Sequence, residues 1–162
     1  MTVDDLRTIL LRDLATVKRE LLAYPDPADI WAKPDGIPNS AGTLALHLAG
    51  NLHHYVGAVL GGTHYVRDRE GEFGDRDLPL EELLGRLDST ARVVDAVLGE
   101  MDGARLDETF PADFPMGRVR TGRFLLHLAI HFGYHLGQID YHRRMVTGQG
   151  QGVEAQSLKA IF

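Results

Sequence analysis

The chain has 162 residues, 44% of them hydrophobic and 25% charged, which fits one globular domain with a sizeable core. Its 17 basic and 23 acidic residues leave a net charge of −6 with no dense Lys/Arg segment, which argues against a nucleic-acid partner. There is no cysteine, so disulfides and thiolate ligands are excluded, and any metal site must use histidine, carboxylate or water.

Residues 3–23 predict a first helix, because Leu6, Ile9, Leu10, Leu14, Val17, Leu21 and Leu22 recur at helical spacing between charges. Thr2 or Asp4 would cap it, and Tyr24-Pro25-Asp26-Pro27 stops it. A Pro-rich connection over 25–40 carries Trp31, read as a structural plug. Ser40 or Thr43 would cap a second helix over 41–60, in which Gly50 and Gly57 share a face and would admit a close neighbouring helix. Residues 62–78 read as a polar loop, long for a bundle connection, that either crosses the bundle end or carries function. A third helix follows from Pro79 to about Met101, with its apolar stripe on Leu80, Leu83, Leu84, Leu87, Ala91, Val94, Val97 and Leu98.

A second long connection covers 102–118, where residues 107–110 and 119–120 could form a small hairpin. The fourth helix is expected over about 120–146, capped by Thr121 and stopped at Gly148. The tail ends in Leu158, Ile161 and Phe162, which should dock on the bundle or on a second subunit. The start, Met1-Thr2-Val3-Asp4-Asp5, lacks the pattern of a signal peptide. The most apolar window, 43–62, is interrupted by His47, Asn51, His53 and His54, so no membrane span is expected and the protein reads as cytoplasmic. Four helices in one domain over 1–162, without repeats, predict an all-α four-helix bundle.

The fourth helix carries His127, His131 and His135 at four-residue steps. Residues so spaced lie one turn apart on one face, and two imidazoles at i and i+4 can clamp one ion. A third ligand would come from a facing helix, and the second helix offers His47 or His54. Three neutral imidazoles with one open position match a catalytic zinc-type site, whereas structural sites close with four protein ligands. His127 reads as a hydrogen-bonded histidine at the core edge, and His53, His64 and His142 as surface or packing residues. The chain lacks the His-Glu-x-x-His of zincins, the Glu-x-x-His of di-iron bundles and any Gly-rich nucleotide loop. Gly133-x-x-x-Gly137 reads as a mark of close packing.

The block His131-Phe132-Gly133-Tyr134-His135-Leu136-Gly137-Gln138-Ile139 resembles the His-x3-His-x2-Gln-Ile motif in the last helix of the DinB/YfiT-like superfamily. The block from Asn39 to Asn51 resembles its second-helix motif, in which an early histidine is the first ligand. Residues 67–73 resemble a subgroup long labelled only as a domain of unknown function. The resemblance implies up-down-down-up connectivity with a long crossover after the second helix. It implies a divalent metal, nickel or zinc, on His47, His131 and His135, and frequent homodimers. Relatives of this kind include transferases and isomerases that use a low-molecular-weight thiol such as bacillithiol, mycothiol or glutathione.

The leading expectation is therefore a metal-dependent, thiol-dependent transferase acting on a small molecule, with hydrolysis as a second chemistry at the same site. Gln138 would orient a ligand or a bound water, and Asn51, one turn after His47, would support the ligands. Arg67 and Arg69 would receive a carboxylate or other acidic group of the substrate. The rival expectations are a non-catalytic metal-binding dimer with a structural or stress-response role, and a metal-free bundle whose histidines only pack.

Overall fold

Five α-helices form among residues 1–155 and 157–161, the residues that the computed structural model describes. They are α1 (Val3–Leu22), α2 (Ala41–Leu52), α3 (Arg69–Gly74), α4 (Leu80–Glu100) and α5 (Thr121–Thr147). Beyond Leu52, α2 continues without a break as a wider π-helical segment, His53–Leu60. Among the described residues no strand forms, and the expected hairpin reduces to one antiparallel bridge between Thr109 and Arg120.

The helix ends follow local chemistry. Thr2 starts α1 through a capping box: its Oγ1 accepts from Asp5 N–H at 3.1 Å, and Asp5 accepts from Thr2 N–H at 2.6 Å. Ser40 starts α2 by accepting from Thr43 N–H at 3.2 Å. Thr121 does not cap α5. It is the first helical residue and is buried, and its N–H donates to the Glu108 carbonyl at 2.8 Å, so the bridged connection supplies the acceptor that a cap would. Gly148 ends α5 at φ 68°, a left-handed position that glycine adopts without strain.

Side-chain pairs fix the helix directions. Arg7 pairs with Asp95 and Lys18 with Asp88, so α1 and α4 run antiparallel. Tyr24 meets His142 beyond the end of α1, and Glu20 meets Arg143, so α1 and α5 end together. Thr90 reaches the Ala49 carbonyl, while Gly57 and Gly61 abut Val93 and Val97, so α2 and α4 run parallel. Tyr55 lies against Phe124 while His47 faces His131 and His135, so α2 and α5 run antiparallel. The bundle is thus up-down-down-up. Both α1 and α2 pack between α4 and α5, and the parallel α2 and α4 require a connection that travels back along the bundle. Residues 61–79 make that crossover.

The periodic positions form the core. Leu6, Leu10, Leu14, Val17 and Leu21 of α1 meet Leu83, Leu87, Val94 and Leu98 of α4 and Leu125, Leu128, Phe132, Leu136 and Ile139 of α5. Each such side chain contributes about 1.5–3 kcal/mol on burial. All twelve residues of α2 are buried, as expected of a helix apolar on every side. Trp31 is the plug that the sequence suggested: it donates to the Leu78 carbonyl at 3.3 Å and covers Gly42, where a Cβ would lie 2.7 Å from its ring. The tail docks on its own α1, but Leu158 stays exposed; Phe162 lies outside the described residues.

The crossover is where the expectation of a plain polar loop fails. Asp68 accepts from Gly71 N–H at 2.8 Å and starts α3, which places Glu72 in the interior against α2. Gly50 admits a close neighbouring helix, as its place in α2 suggests, but that helix is the short α3, whose Glu72 carboxylate occupies the space a Cβ would need. Gly57 does admit a bundle helix, with Val93 of α4 at 2.7 Å from an ideal Cβ.

Candidate metal centre

His47 projects from the buried α2, and His131 and His135 from adjacent turns of α5. The antiparallel register decides between the two candidate third ligands. With Tyr55 level with Phe124, His54 lies near the start of α5, roughly two helical turns below the clamp, while His47 is level with it. His54 is not part of the cluster, and its buried Nδ1 has no partner among the described residues.

The three rings meet edge-on, at 79° to 90° to one another, with centroids 4.5–5.4 Å apart. Nε2 of His131 lies 3.4 Å from Nε2 of His47 and 3.1 Å from Nε2 of His135. One ligand atom from each residue lies within 4.8 Å of the others. Metal–nitrogen bonds of about 2.0–2.1 Å in a tetrahedron place neighbouring nitrogens about 3.3–3.4 Å apart, close to the spacing seen.

The tautomers point the same way. His47 Nδ1 lies 3.0 Å from Oε2 of Glu72, and an ionised carboxylate only accepts, so the proton sits on Nδ1 and Nε2 is bare. His135 Nδ1 lies 2.6 Å from Oε1 of Gln138, with the same result. Two bare lone pairs therefore face Nε2 of His131, which can donate to only one of them. A cation at the point of convergence satisfies all three, so the donor set fits a divalent ion.

Burial, reinforced by the neighbouring His135, His47 and His127, lowers the His131 pKa to about 4. Burial also lowers that of His135, against the hydrogen bond to Gln138. Both ligands are thereby kept neutral, the form that coordinates. Behind His47, Arg67 closes on Glu72 with Nε–Oε1 at 2.6 Å and Nη2–Oε2 at 2.8 Å. Burial pushes the Glu72 carboxyl up, but the bonds from Arg67 and His47 outweigh it and hold the pKa below the usual value. Arg67 Nη2 is also 3.4 Å from His47 Nδ1, two donors drawn together by the carboxylate they share.

The expected supporting residues are redistributed. Gln138 orients His135 itself. Asn51 is buried but makes no hydrogen bond to any of the three histidines; Glu72 holds His47 in its place. Arg67 pairs with the carboxylate of Glu72, while Arg69 lies exposed over Phe73 at 5.4 Å, whose ring is 5.0 Å from that of His47. His127 is exposed and unbonded, with its ring 6.1 Å from that of His131, so it is a neighbour rather than a core-edge anchor. Beyond it, Phe124, Tyr55, Phe110 and Phe114 form an aromatic wall. His53 stacks on Tyr65 at 4.1 Å and His64 is exposed. His142 is buried, accepting from Tyr24 OH at 2.7 Å and donating to the Ala32 carbonyl at 2.8 Å, a packing role.

The spacing and the family resemblance singled out His47, His131 and His135, which the fold brings together, but not Glu72. The available signals were Gly50 in the interior of a buried helix and Asp68 placed to cap a turn before Glu72.

No helix among the described residues is long and apolar enough to cross a membrane. No curated protein and no solved structure matches the chain. A sequence model described as the DinB superfamily matches residues 10–139, which span α2, the crossover and the histidine clamp. With that match covering most of its length, the chain belongs to the DinB superfamily.

Proposed function

We propose that this protein is a divalent-metal enzyme, with zinc or nickel on His47, His131 and His135, that transfers the sulfur of a low-molecular-weight thiol to a small electrophilic substrate and works as a homodimer. The observation that carries this reading is the convergence of the Nε2 atoms of three histidines, two with tautomers set by Glu72 and Gln138, with no fourth protein ligand among the described residues. Three protein ligands are the number that catalytic sites use, because a fourth position stays open to substrate.

A divalent ion held there supplies a Lewis acid that favours the thiolate form of a thiol and lowers the pKa of water toward about 7. The residues of the chain do the rest. Glu72 and Arg67 hold the His47 ring and keep its proton on Nδ1. Gln138 does the same for His135. In the transfer, the sulfur bonds to an electrophilic carbon, the bond from that carbon to its leaving group breaks with its electron pair, and the thiol proton passes to the leaving group or solvent. Two cavities adjoin the supporting residues. One of about 150 Å3 lies beside Gln138, Leu44 and Met145; another of about 410 Å3, with a mixed lining, lies beyond Glu72, between Tyr65, Arg86 and Ser89.

The test is a conjugation screen with the metal-loaded protein, pairing glutathione, bacillithiol and mycothiol with small electrophiles. The expected result is a rate above the metal-free protein that His135→Ala removes. A loaded protein with no thiol-dependent or hydrolytic turnover would favour the non-catalytic, metal-binding dimer.

A further inference from the structure

Ten large hydrophobic side chains are exposed among the described residues, and five of them lie on one face of α5: Leu126, Ile130, Tyr134, Tyr141 and Met145, between 43% and 70% exposed. With Gly137 they sit at successive spacings of 4, 4, 3, 4 and 4, a continuous stripe about 28 Å long. Among the described residues no other helix packs over the stripe, although Tyr141 and Met145 also border the cavity beside Gln138. An ideal Cβ on Gly137 would meet nothing within 4 Å, so among the described residues the glycine expected to mark close packing has no neighbour. Scattered exposed apolar residues need no explanation, whereas a contiguous patch of this kind marks a contact surface.

We propose that α5 pairs antiparallel with α5 of a second copy of this chain, about a two-fold axis level with the step between His135 and Leu136. It rests on the dimeric reading above but not on the metal centre. The occupant follows from the pattern. An isologous interface needs a surface that is its own complement, residue i meeting j and j meeting i. Reversing the stripe about that step sets Leu126 opposite Met145 of the partner subunit, Ile130 opposite Tyr141 of the partner subunit and Tyr134 opposite Gly137 of the partner subunit. The set of six maps onto itself, and the Tyr134 ring meets the notch with no side chain.

Charge agrees with the pairing. The same reversal brings the exposed Arg123 to the C-terminal end of the opposing α5, the negative end of its helix dipole. The five side chains offer on the order of 600 Å2 per protomer, near the ~800 Å2 per partner of a standard stable interface. Tyr134 also lies against the His135 ring, with centroids 5.2 Å apart, so the interface runs along the outer flank of the clamp.

Light scattering of the full chain, with circular dichroism for fold, tests the dimer. The wild type is expected to have the mass of two chains and Ile130→Asp that of one, with unchanged helicity because Ile130 is exposed. A monomeric wild type overturns the dimer reading itself. A dimer that survives Ile130→Asp overturns only this interface. Cross-linking tests the register in a chain with no native cysteine. Leu126→Cys combined with Met145→Cys should give a covalent dimer on mild oxidation, while Leu126→Cys alone should not, since the two copies of that position are about 28 Å apart. Cross-linking by the single variant, or none by the double, overturns the antiparallel pairing.

Discussion

His47 and His135 present the same nitrogen to the same point, yet the two helices hold them differently. His47 stands on a helix with no exposed residue, and its outer nitrogen is gripped by Glu72, which is fixed in turn by two bonds from Arg67 across a crossover of the chain. His135 stands on a half-exposed helix, and its outer nitrogen is held by Gln138, three residues on, with no help from elsewhere. One ligand is oriented by tertiary structure and the other by local helix geometry. The first arrangement can fail at several remote places, the second at only one.

The two sides are joined by His131, whose Nε2 is shared by both neighbours. Its loss is expected to have the largest effect. His131→Ala should abolish stoichiometric metal binding by elemental analysis while leaving the helical circular dichroism intact; unchanged metal content would remove the site. Glu72→Ala comes next. It frees the His47 tautomer and leaves the largely buried Arg67 unpaired, so metal affinity should fall about 100-fold, with about 1–3 kcal/mol lost in denaturant unfolding. Gly50→Val leaves every polar group in place but fills the seat of the Glu72 carboxylate. It should weaken metal binding by about 10–100-fold through displacement of α3, and calorimetric titration equal to wild type would show that α3 does not act through Glu72. Gln138→Ala should cost the least, about 10-fold in affinity with an unchanged melting temperature, because Gln138 is exposed and no part of the core rests on it. Should it cost more than Glu72→Ala, the contrast between the two halves is wrong.

What could be read in advance follows the same divide. The helices and the His131/His135 clamp depend on residues three and four apart, and such spacing is legible in one sequence, whereas the helix directions depend on contacts between helices and were implied only by the family resemblance. The choice of His47 over His54 was not legible from spacing, because both lie on one face of α2, and only the register against α5 separates them. Glu72 and Arg67 were harder still. They belong to a stretch with Gly71 and Gly74 around a six-residue helix, which has no hydrophobic period to reveal it. Gly50 carried the signal, but a missing side chain says that something approaches closely and not what approaches.

The central claim is that His47, His131 and His135 bind one ion together. X-ray absorption on protein loaded with zinc or nickel addresses it most directly, with elemental analysis of the same sample. The account predicts one ion per chain with three imidazole nitrogens at about 2.0–2.1 Å for zinc, falling to two in His47→Ala. A chain that takes up no ion, or a spectrum that His47→Ala leaves unchanged, would contradict it.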